Sequence, residues 1–173
     1  MPEPIQGVVP GVQLAYGPPL PTGFYYDMAV PEGRPLSSAD FEAIEAEMKR
    51  IISEDRPFTR YEVGPEHGLK KLKAEGNKYK LDNAERALKG QDQAIAGAPP
   101  SPEPKGRLSF YATGRPGTNW EDLCRGPHVP STGRIGAAKV LSLASSYWHG
   151  DENSDRLTRV YGTAFATPAE LEQ

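Results

Sequence analysis

A dense group of chemically active side chains lies in residues 122–128, where Asp122, Cys124 and His128 are separated by only a few positions. The Gly126-Pro127 dipeptide between them predicts a turn, so the thiol and the imidazole can face the same space. Both groups are zinc ligands, and Asp122 could be a third ligand, an orienting group or a general base. The alternative is a buried cysteine, a surface histidine and an aspartate that caps the turn. The spacing leaves both interpretations open.

Motifs for other chemistries are missing from the sequence. It contains neither of the glycine-rich phosphate-binding motifs and no Gly-x-Ser-x-Gly nucleophile motif, so ATP has no predicted binding site in this chain. His67 and His149 have no partner nearby in the sequence. The one basic stretch contains five lysines, at positions 70, 71, 73, 78 and 80. Such a stretch is typical of a solvated helix face, and a surface that faces phosphate groups is the alternative.

Helices and strands alternate irregularly along the chain, which predicts an α+β fold: a single domain with an antiparallel sheet and packed helices. Periodicity and turn residues predict strands over 12–16, 24–30, 58–63 and 107–112 and a late hairpin with arms 139–148 and 157–165. The first arm of that hairpin could also be a helix. Helical spacing and capping residues predict helices within 37–55, over 65–75 and from 168 onwards, with 81–96 weakly helical.

Proline-rich segments separate these elements. Residues 17–23 predict a loop, and residues 97–106, with four prolines, predict an exposed and extended connector inside the domain. We expect this connector to tolerate shortening.

Composition narrows the class of protein. The 173 residues carry a net charge of -3 and a single cysteine, which argues against broad coating of nucleic acid and excludes an internal disulfide framework. There is no long apolar run and no secretory signal at the N-terminus, so we expect a cytoplasmic protein that does not span a membrane.

Residues 122–130, Asp-Leu-Cys-Arg-Gly-Pro-His-Val-Pro, resemble the signature of the second additional domain of threonyl-tRNA synthetases. Other segments that resemble this family follow in the same order: 16–18 with 23–27, 76–80, and 146–151 with 159–164. The resemblance covers almost the whole chain, 1–173. The related alanyl-tRNA editing proteins share the Cys-x-x-x-His element but lack the Gly-Phe-Tyr-Tyr-Asp segment, which makes an alanyl-tRNA-editing-like deacylase the second choice.

The resemblance implies an editing site that hydrolyses serine wrongly attached to threonine tRNA. It implies a catalytic role for Lys80, Asp122 and His128, with Lys80 at the rim of the cleft and holding the terminal ribose or the attacking water. Substrate-binding roles fall to Tyr26, Gly17 and Cys124. The implied partner is the acceptor end of tRNA, and the implied parent is a homodimeric threonine--tRNA ligase of protein biosynthesis. No cofactor is required, zinc could bind weakly at Cys124 and His128, and ATP would bind only in a catalytic core outside this chain.

The sequence also departs from the family. The family carries a His-x-x-x-His pair on a helix, whereas no histidine precedes His67 here, and His149 stands where the family usually has arginine. The resemblance implies that the chain begins just after that pair and lacks the class II core, as a fragment truncated at both ends. We therefore expect weak hydrolysis by this chain alone, a weakened N-terminal helix because of Pro2 and Pro4, and uncovered apolar surface near Val8, Val9 and Val12. A non-catalytic module that binds the tRNA acceptor end is the alternative.

Overall fold

The computed structural model describes residues 1–90 and 106–172. They form two compact units, which are considered separately: the first unit, Met1–Asp55 with Thr132–Gln173, and the second unit, Arg56–Ser131. Both combine helices with antiparallel sheets, which confirms the predicted α+β class. The assignment of 1–173 to one editing-like domain stays a prediction. The proline-rich connector at 97–106 lies, except for Gly106, outside the described residues.

The elements of the first unit are α1 (Pro2–Val8), β1 (Gln13–Tyr16), β2 (Pro19–Leu20), β3 (Gly23–Ala29), α2 (Phe41–Ser53), β7 (Ala137–Tyr147), β8 (Arg156–Phe165) and α5 (Pro168–Leu171). Its strands form a five-stranded antiparallel sheet with the order β1-β3-β8-β7, and the short β2 pairs with β3. The late hairpin is confirmed as β7 and β8, because cross-strand pairing with β8 makes a strand of a segment that could also be a helix. The predicted loop over 17–23 is wrong in one detail, since it includes β2.

Local chemistry explains the long helix α2. The backbone N–H of Ser37 donates to the Asp40 carboxylate at 2.9 Å, which satisfies a donor just before the helix. The apolar residues Ile44, Met48 and Ile51 recur at helical spacing and are buried.

The expectation of uncovered apolar surface was wrong for Val9 and Val12, which are fully buried and 3% exposed, whereas Val8 is half-buried. The helix α1 forms with Pro2 and Pro4 in its first turn, where backbone N–H groups have no acceptor inside the helix. The weakening of this helix by the two prolines stays a prediction.

The second unit contains a three-stranded antiparallel sheet with the order β4-β5-β6. Its elements are β4 (Phe58–Val63), α3 (Pro65–Glu75), α4 (Lys78–Leu88), β5 (Leu108–Thr113) and β6 (Glu121–Leu123). Leu72, Ala84, Leu108 and Phe110 form its buried core. No helix among the described residues is long and apolar enough to cross a membrane.

The helix α4 begins three residues earlier than predicted. Asn77 is its N-cap, and its side-chain oxygen accepts hydrogen bonds from the backbone N–H groups of Tyr79 and Lys80 at 3.1 and 3.2 Å. Gly76, with φ of 72°, ends α3 just before it. The cap therefore places Lys80 in the first turn of α4.

Candidate functional site

Strand pairing decides which side chains of β5 and β6 share a face. Tyr111 pairs with Asp122, and Phe110 pairs with Leu123. Because successive side chains point to opposite faces of a strand, Tyr111 and Asp122 lie on one face and Phe110 and Leu123 on the other. Phe110 and Leu123 belong to the core cluster, so the face of Tyr111 and Asp122 is the one turned away from the core.

An ion pair joins the first turn of α4 to β6. The Lys80 ammonium lies 3.0 Å from Asp122 Oδ2 and also donates to the backbone oxygen of Leu123 at 3.3 Å. The two charged side chains are only 7% and 14% exposed. The Lys80 ammonium is buried, and the nearby carboxylate compensates the cost of removing it from water, while its position at the rim of a cleft stays a prediction.

A second pair lies directly after β6. Cys124 Sγ lies 3.3 Å from His128 Nε2, which confirms the predicted juxtaposition of thiol and imidazole. Ser109 fixes the backbone of Cys124 from β5, because the Cys124 N–H donates to the Ser109 carbonyl at 3.1 Å and the Ser109 hydroxyl donates to the Cys124 carbonyl at 2.8 Å. The chain then reverses at Gly126, whose φ is 81°, and the Gly126-Pro127 peptide bond is cis.

Two aromatic rings enclose the imidazole of His128. The Tyr111 ring stacks on it with a centroid distance of 4.0 Å, and the Phe58 ring meets it edge-on at 5.0 Å. Although part of the residue stays accessible to solvent, this burial lowers the pKa of His128 below its ordinary value, and the Asp122 carboxylate only partly opposes the shift. His128 is therefore neutral at pH 7 and able to accept a proton.

The side chains here do not form a complete metal site. Within residues 1–90 and 106–172, no group of three or more His, Cys, Asp or Glu side chains could hold a metal ion. Cys124 and His128 supply two ligands, whereas a structural zinc site takes four and a catalytic site usually three. The donor set therefore does not fit a tightly held zinc ion.

The predicted substrate-binding residues Gly17 and Tyr26 lie together in the first unit. A Cβ atom at Gly17 would collide with the Tyr26 ring, so the glycine is required for this ring to pack against β1. Tyr26 is half-buried on β3. The expected convergence of Tyr26 with the residues of the second unit stays a prediction.

An ion pair links two of the family-like segments of the first unit. Arg159 donates to both carboxylate oxygens of Asp27, at 2.7 and 2.8 Å, and its guanidinium lies 3.9 Å from the centre of the Tyr25 ring. The hydrogen bond to Asp27 is the main cause that raises the pKa of Arg159. This bidentate contact fixes β3, and with it Tyr26, against β8.

The basic stretch is not a uniform solvated face. Lys71 lies 2.6 Å from Glu121 and 2.7 Å from Glu75, and Lys80 pairs with Asp122, so two of its lysines are committed to carboxylates within the second unit. The sequence did not predict these carboxylate partners or the contacts of Tyr111 and Phe58 with His128. Both aromatic residues fall in predicted strands, which does not by itself indicate contact with His128.

The fold and these side chains define an α+β protein segment in which an ammonium, a carboxylate, a thiol and an imidazole lie on and beside one short strand. Residues 108–161 match the family described as "Threonyl and Alanyl tRNA synthetase second additional domain". That span contains Tyr111, Asp122, Cys124 and His128, so the site and the family signature occupy the same segment. The family resemblance inferred from the sequence is thereby confirmed: this segment belongs to the second additional domains of threonyl and alanyl tRNA synthetases.

Similarity to individual proteins extends over nearly the whole chain. The chain is 42% identical over 168 residues to the threonine--tRNA ligase of Natronomonas pharaonis. The aligned region covers 97% of this chain and 23% of that protein. It is 39% identical over 173 residues to the threonine--tRNA ligase of Rhizobium rhizogenes and 39% identical over 176 residues to that of Clostridium botulinum. The chain spans about a quarter of the length of these relatives.

Proposed function

We propose that this chain carries the editing site of a threonine--tRNA ligase and hydrolyses the ester of serine wrongly attached to threonine tRNA. The observation that carries the proposal is the grouping of Lys80, Asp122, Cys124 and His128 on and beside β6. The family-matched segment supplies three of these residues, and the buried pair of Lys80 and Asp122 ties α4 to that segment.

The need for such a site follows from the chemistry of the two amino acids. Serine lacks one methyl group of threonine, and a missing methyl is worth only about 1–3 kcal/mol of discrimination. A second, hydrolytic pocket that admits the smaller residue corrects the resulting errors. Tyr26, Gly17 and Cys124 are proposed to bind the aminoacyl end.

Hydrolysis requires a water molecule to attack the ester carbonyl carbon, after which the bond to the ribose oxygen breaks and that oxygen takes up a proton. His128 is suited to accept the water proton, because its lowered pKa keeps the imidazole neutral at pH 7. Lys80 keeps the Asp122 carboxylate oriented, and its positive charge favours negative charge that develops nearby. The proposal assigns catalytic roles to these three residues.

Other parts of the proposal concern the whole protein. The partner is tRNA, bound at its acceptor end, and the parent enzyme is a homodimer. No metal is required for the reaction, and zinc would bind weakly if at all; titration calorimetry with zinc measures this directly. ATP would bind in a catalytic core that is distinct from these residues, and the cytoplasmic location stays a prediction.

The decisive experiment is a deacylation assay with seryl and threonyl esters of threonine tRNA. The chain is joined behind a helix that carries the implied His-x-x-x-His pair, so that the full set of proposed groups is present. We expect the seryl ester to be hydrolysed about 10–200-fold faster than the threonyl ester, as one methyl group allows. His128→Asn and Asp122→Asn should each lower the rate by about 10²-fold or more, whereas the remote Arg86→Met should not.

Two results would contradict the proposal. Equal hydrolysis of both esters would show that the site does not select serine. Tight binding of threonine tRNA with no hydrolysis would favour a module that only binds the acceptor end. This second function stays the alternative, and the observation behind it is that none of the three histidines forms a His-x-x-x-His pair.

A further inference from the structure

Two lysines from consecutive helices contact adjacent carboxylates of β6. Lys71 of α3 lies 2.6 Å from Glu121, and Lys80 of α4 lies 3.0 Å from Asp122. Because Glu121 and Asp122 are neighbours in a strand, their side chains leave it on opposite faces. The strand is thus tied by an ion pair on each side.

Glu121 lies in a nearly closed polar environment, with 12% of its side chain exposed. Its carboxylate also accepts hydrogen bonds from the Tyr61 phenol of β4 and, at 3.3 Å, from the Gly117 backbone N–H. Burial would raise its pKa, but the hydrogen bonds from Lys71 and Tyr61 outweigh burial and lower it, so the group is ionised. Burial, together with Glu121, raises the pKa of Tyr61 to about 12.

Lys71 is itself held in place. It also bonds Glu75 at 2.7 Å, one helical turn along α3, and its ammonium lies 5.5 Å from the centre of the Phe110 ring. Phe110 is 1% exposed in the core. Lys71 therefore connects Glu121 to the packed helix and the central strand of the sheet rather than to solvent.

We propose that Glu121, through its contacts with Lys71 and Tyr61, is a positioning residue that sets the placement of Asp122 and Cys124. This role rests on the proposed editing function. Glu121 faces away from the reacting groups and acts only through the backbone of β6.

The reason lies in the length and position of this strand. β6 has three residues and lies at the edge of its sheet, so its ladder hydrogen bonds come from β5 alone. A short edge strand with one ladder partner depends on its side-chain contacts for a unique register. If Glu121 loses Lys71, Asp122 keeps Lys80 and Cys124 keeps its two hydrogen bonds to Ser109, but the strand can rotate about these contacts and the Cys124 thiol moves with it.

The single cysteine of the chain makes this placement measurable without enzyme activity. The rate at which iodoacetamide alkylates Cys124 depends on the exposure and surroundings of its thiol. The rate is compared among the unchanged chain, Lys71→Met, Lys71→Arg and Glu121→Gln. Arg86→Met is the matched control, because it removes a cation from an exposed ion pair with Asp82 elsewhere in the second unit.

We expect Lys71→Met to change the alkylation rate by about tenfold, the factor that loss of one charge-assisted hydrogen bond can produce. Lys71→Arg keeps the charge and should restore most of the original rate, and Arg86→Met should leave it unchanged. In the deacylation assay, Lys71→Met should lower kcat about tenfold with KM altered less than about twofold, as expected when reacting groups move but binding persists. Circular dichroism verifies that each variant is folded.

Glu121→Gln covers the case in which Lys71→Met does not fold, since the amide oxygen still accepts hydrogen bonds while the charge is lost. Glu121→Gln should change the alkylation rate of Cys124 and kcat in the same direction as Lys71→Met, but by a smaller factor. Alkylation rates of both variants equal to that of Arg86→Met would overturn the positioning role. Absence of seryl-ester hydrolysis by the chain joined behind the helix with the His-x-x-x-His pair would instead contradict the proposed function, and the thiol measurement would still decide the role of Glu121.

Discussion

Lys80 Nζ and Asp122 Oδ2 lie 3.0 Å apart, in side chains that are 7% and 14% exposed and 42 residues apart in the sequence. A buried charge that loses its partner must stay desolvated without compensation. This pair therefore contributes to both the stability of the second unit and the orientation of a proposed catalytic carboxylate.

Removing one partner of this pair should destabilise the folded chain strongly. We expect Lys80→Met to lower the free energy of unfolding by about 3–5 kcal/mol, because the Asp122 carboxylate stays buried after the Lys80 ammonium is removed. The double variant Lys80→Met/Asp122→Leu should lose less than either single variant, since no uncompensated charge remains. Urea unfolding measures all three.

The exposed pair of Arg86 and Asp82 is the control, and Arg86→Met should cost only about 0.3–0.5 kcal/mol. A similar small loss for Lys80→Met would show that solvent, not protein, compensates Asp122.

The pH dependence of stability should carry a contribution from His128 with a definite sign. Its pKa in the folded chain is lowered, so the unfolded chain, with the ordinary pKa of about 6.5, binds the proton more readily. The stabilising contribution is therefore present above about pH 6.5 and is lost as the pH falls through the folded pKa. His128→Asn should remove this part of the profile in urea unfolding experiments.

The cause of the shift can be tested separately. Tyr111→Leu removes the stacked ring that buries the imidazole and should move the pKa of His128 back towards its ordinary value, as read by NMR titration. Titration of His128 above pH 6.5 in the unchanged chain would contradict burial as the dominant influence.

Gly126 should not tolerate a side chain. Its φ of 81° is unfavourable for other residues, and a Cβ atom there would collide with the Tyr111 ring that stacks on His128. An alanine in the left-handed conformation costs roughly 1–2 kcal/mol. We expect Gly126→Ala to lower the free energy of unfolding by more than this amount and to change the His128 NMR signals. Gly76→Ala is the matched control, because Gly76 has φ of 72° and open space around its Cβ position. Equal losses in thermal unfolding for the two variants would exclude the collision.

Hydrolysis by the 173-residue chain alone should be slow. The family resemblance implies two further imidazoles in a His-x-x-x-His pair, and a missing general acid or base typically lowers a rate by about 10²–10⁴-fold. The measurement compares seryl-tRNA deacylation by this chain with deacylation by the same chain joined behind a helix that carries the pair. Equal rates would mean that Lys80 and His128 suffice for catalysis.

Local patterns predicted most of the secondary structure. The strand at 58–63 and the helix at 65–75 have the predicted bounds, because Pro57 before the strand, Pro65 at the helix start and Gly76 at its end all act within a few residues. The burial of the N-terminal segment was misjudged because it depends on packing. Ile5 and Val9 are fully buried, and no pattern within a few residues indicates which side chains cover them.

The sequence by itself determined the α+β class, the signature around Cys124 and His128, and their proximity across the turn at Gly126, since all of these depend on residues close together in the chain. Only the tertiary structure decided that Lys71 and Lys80 contact adjacent carboxylates of β6 and that the rings of Tyr111 and Phe58 pack against the His128 imidazole. These contacts join residues that are far apart in sequence, and no local pattern encodes them. The physical reason is that burial and pairing set the charge state of an ionisable group, and both are properties of the packed chain rather than of the residue type.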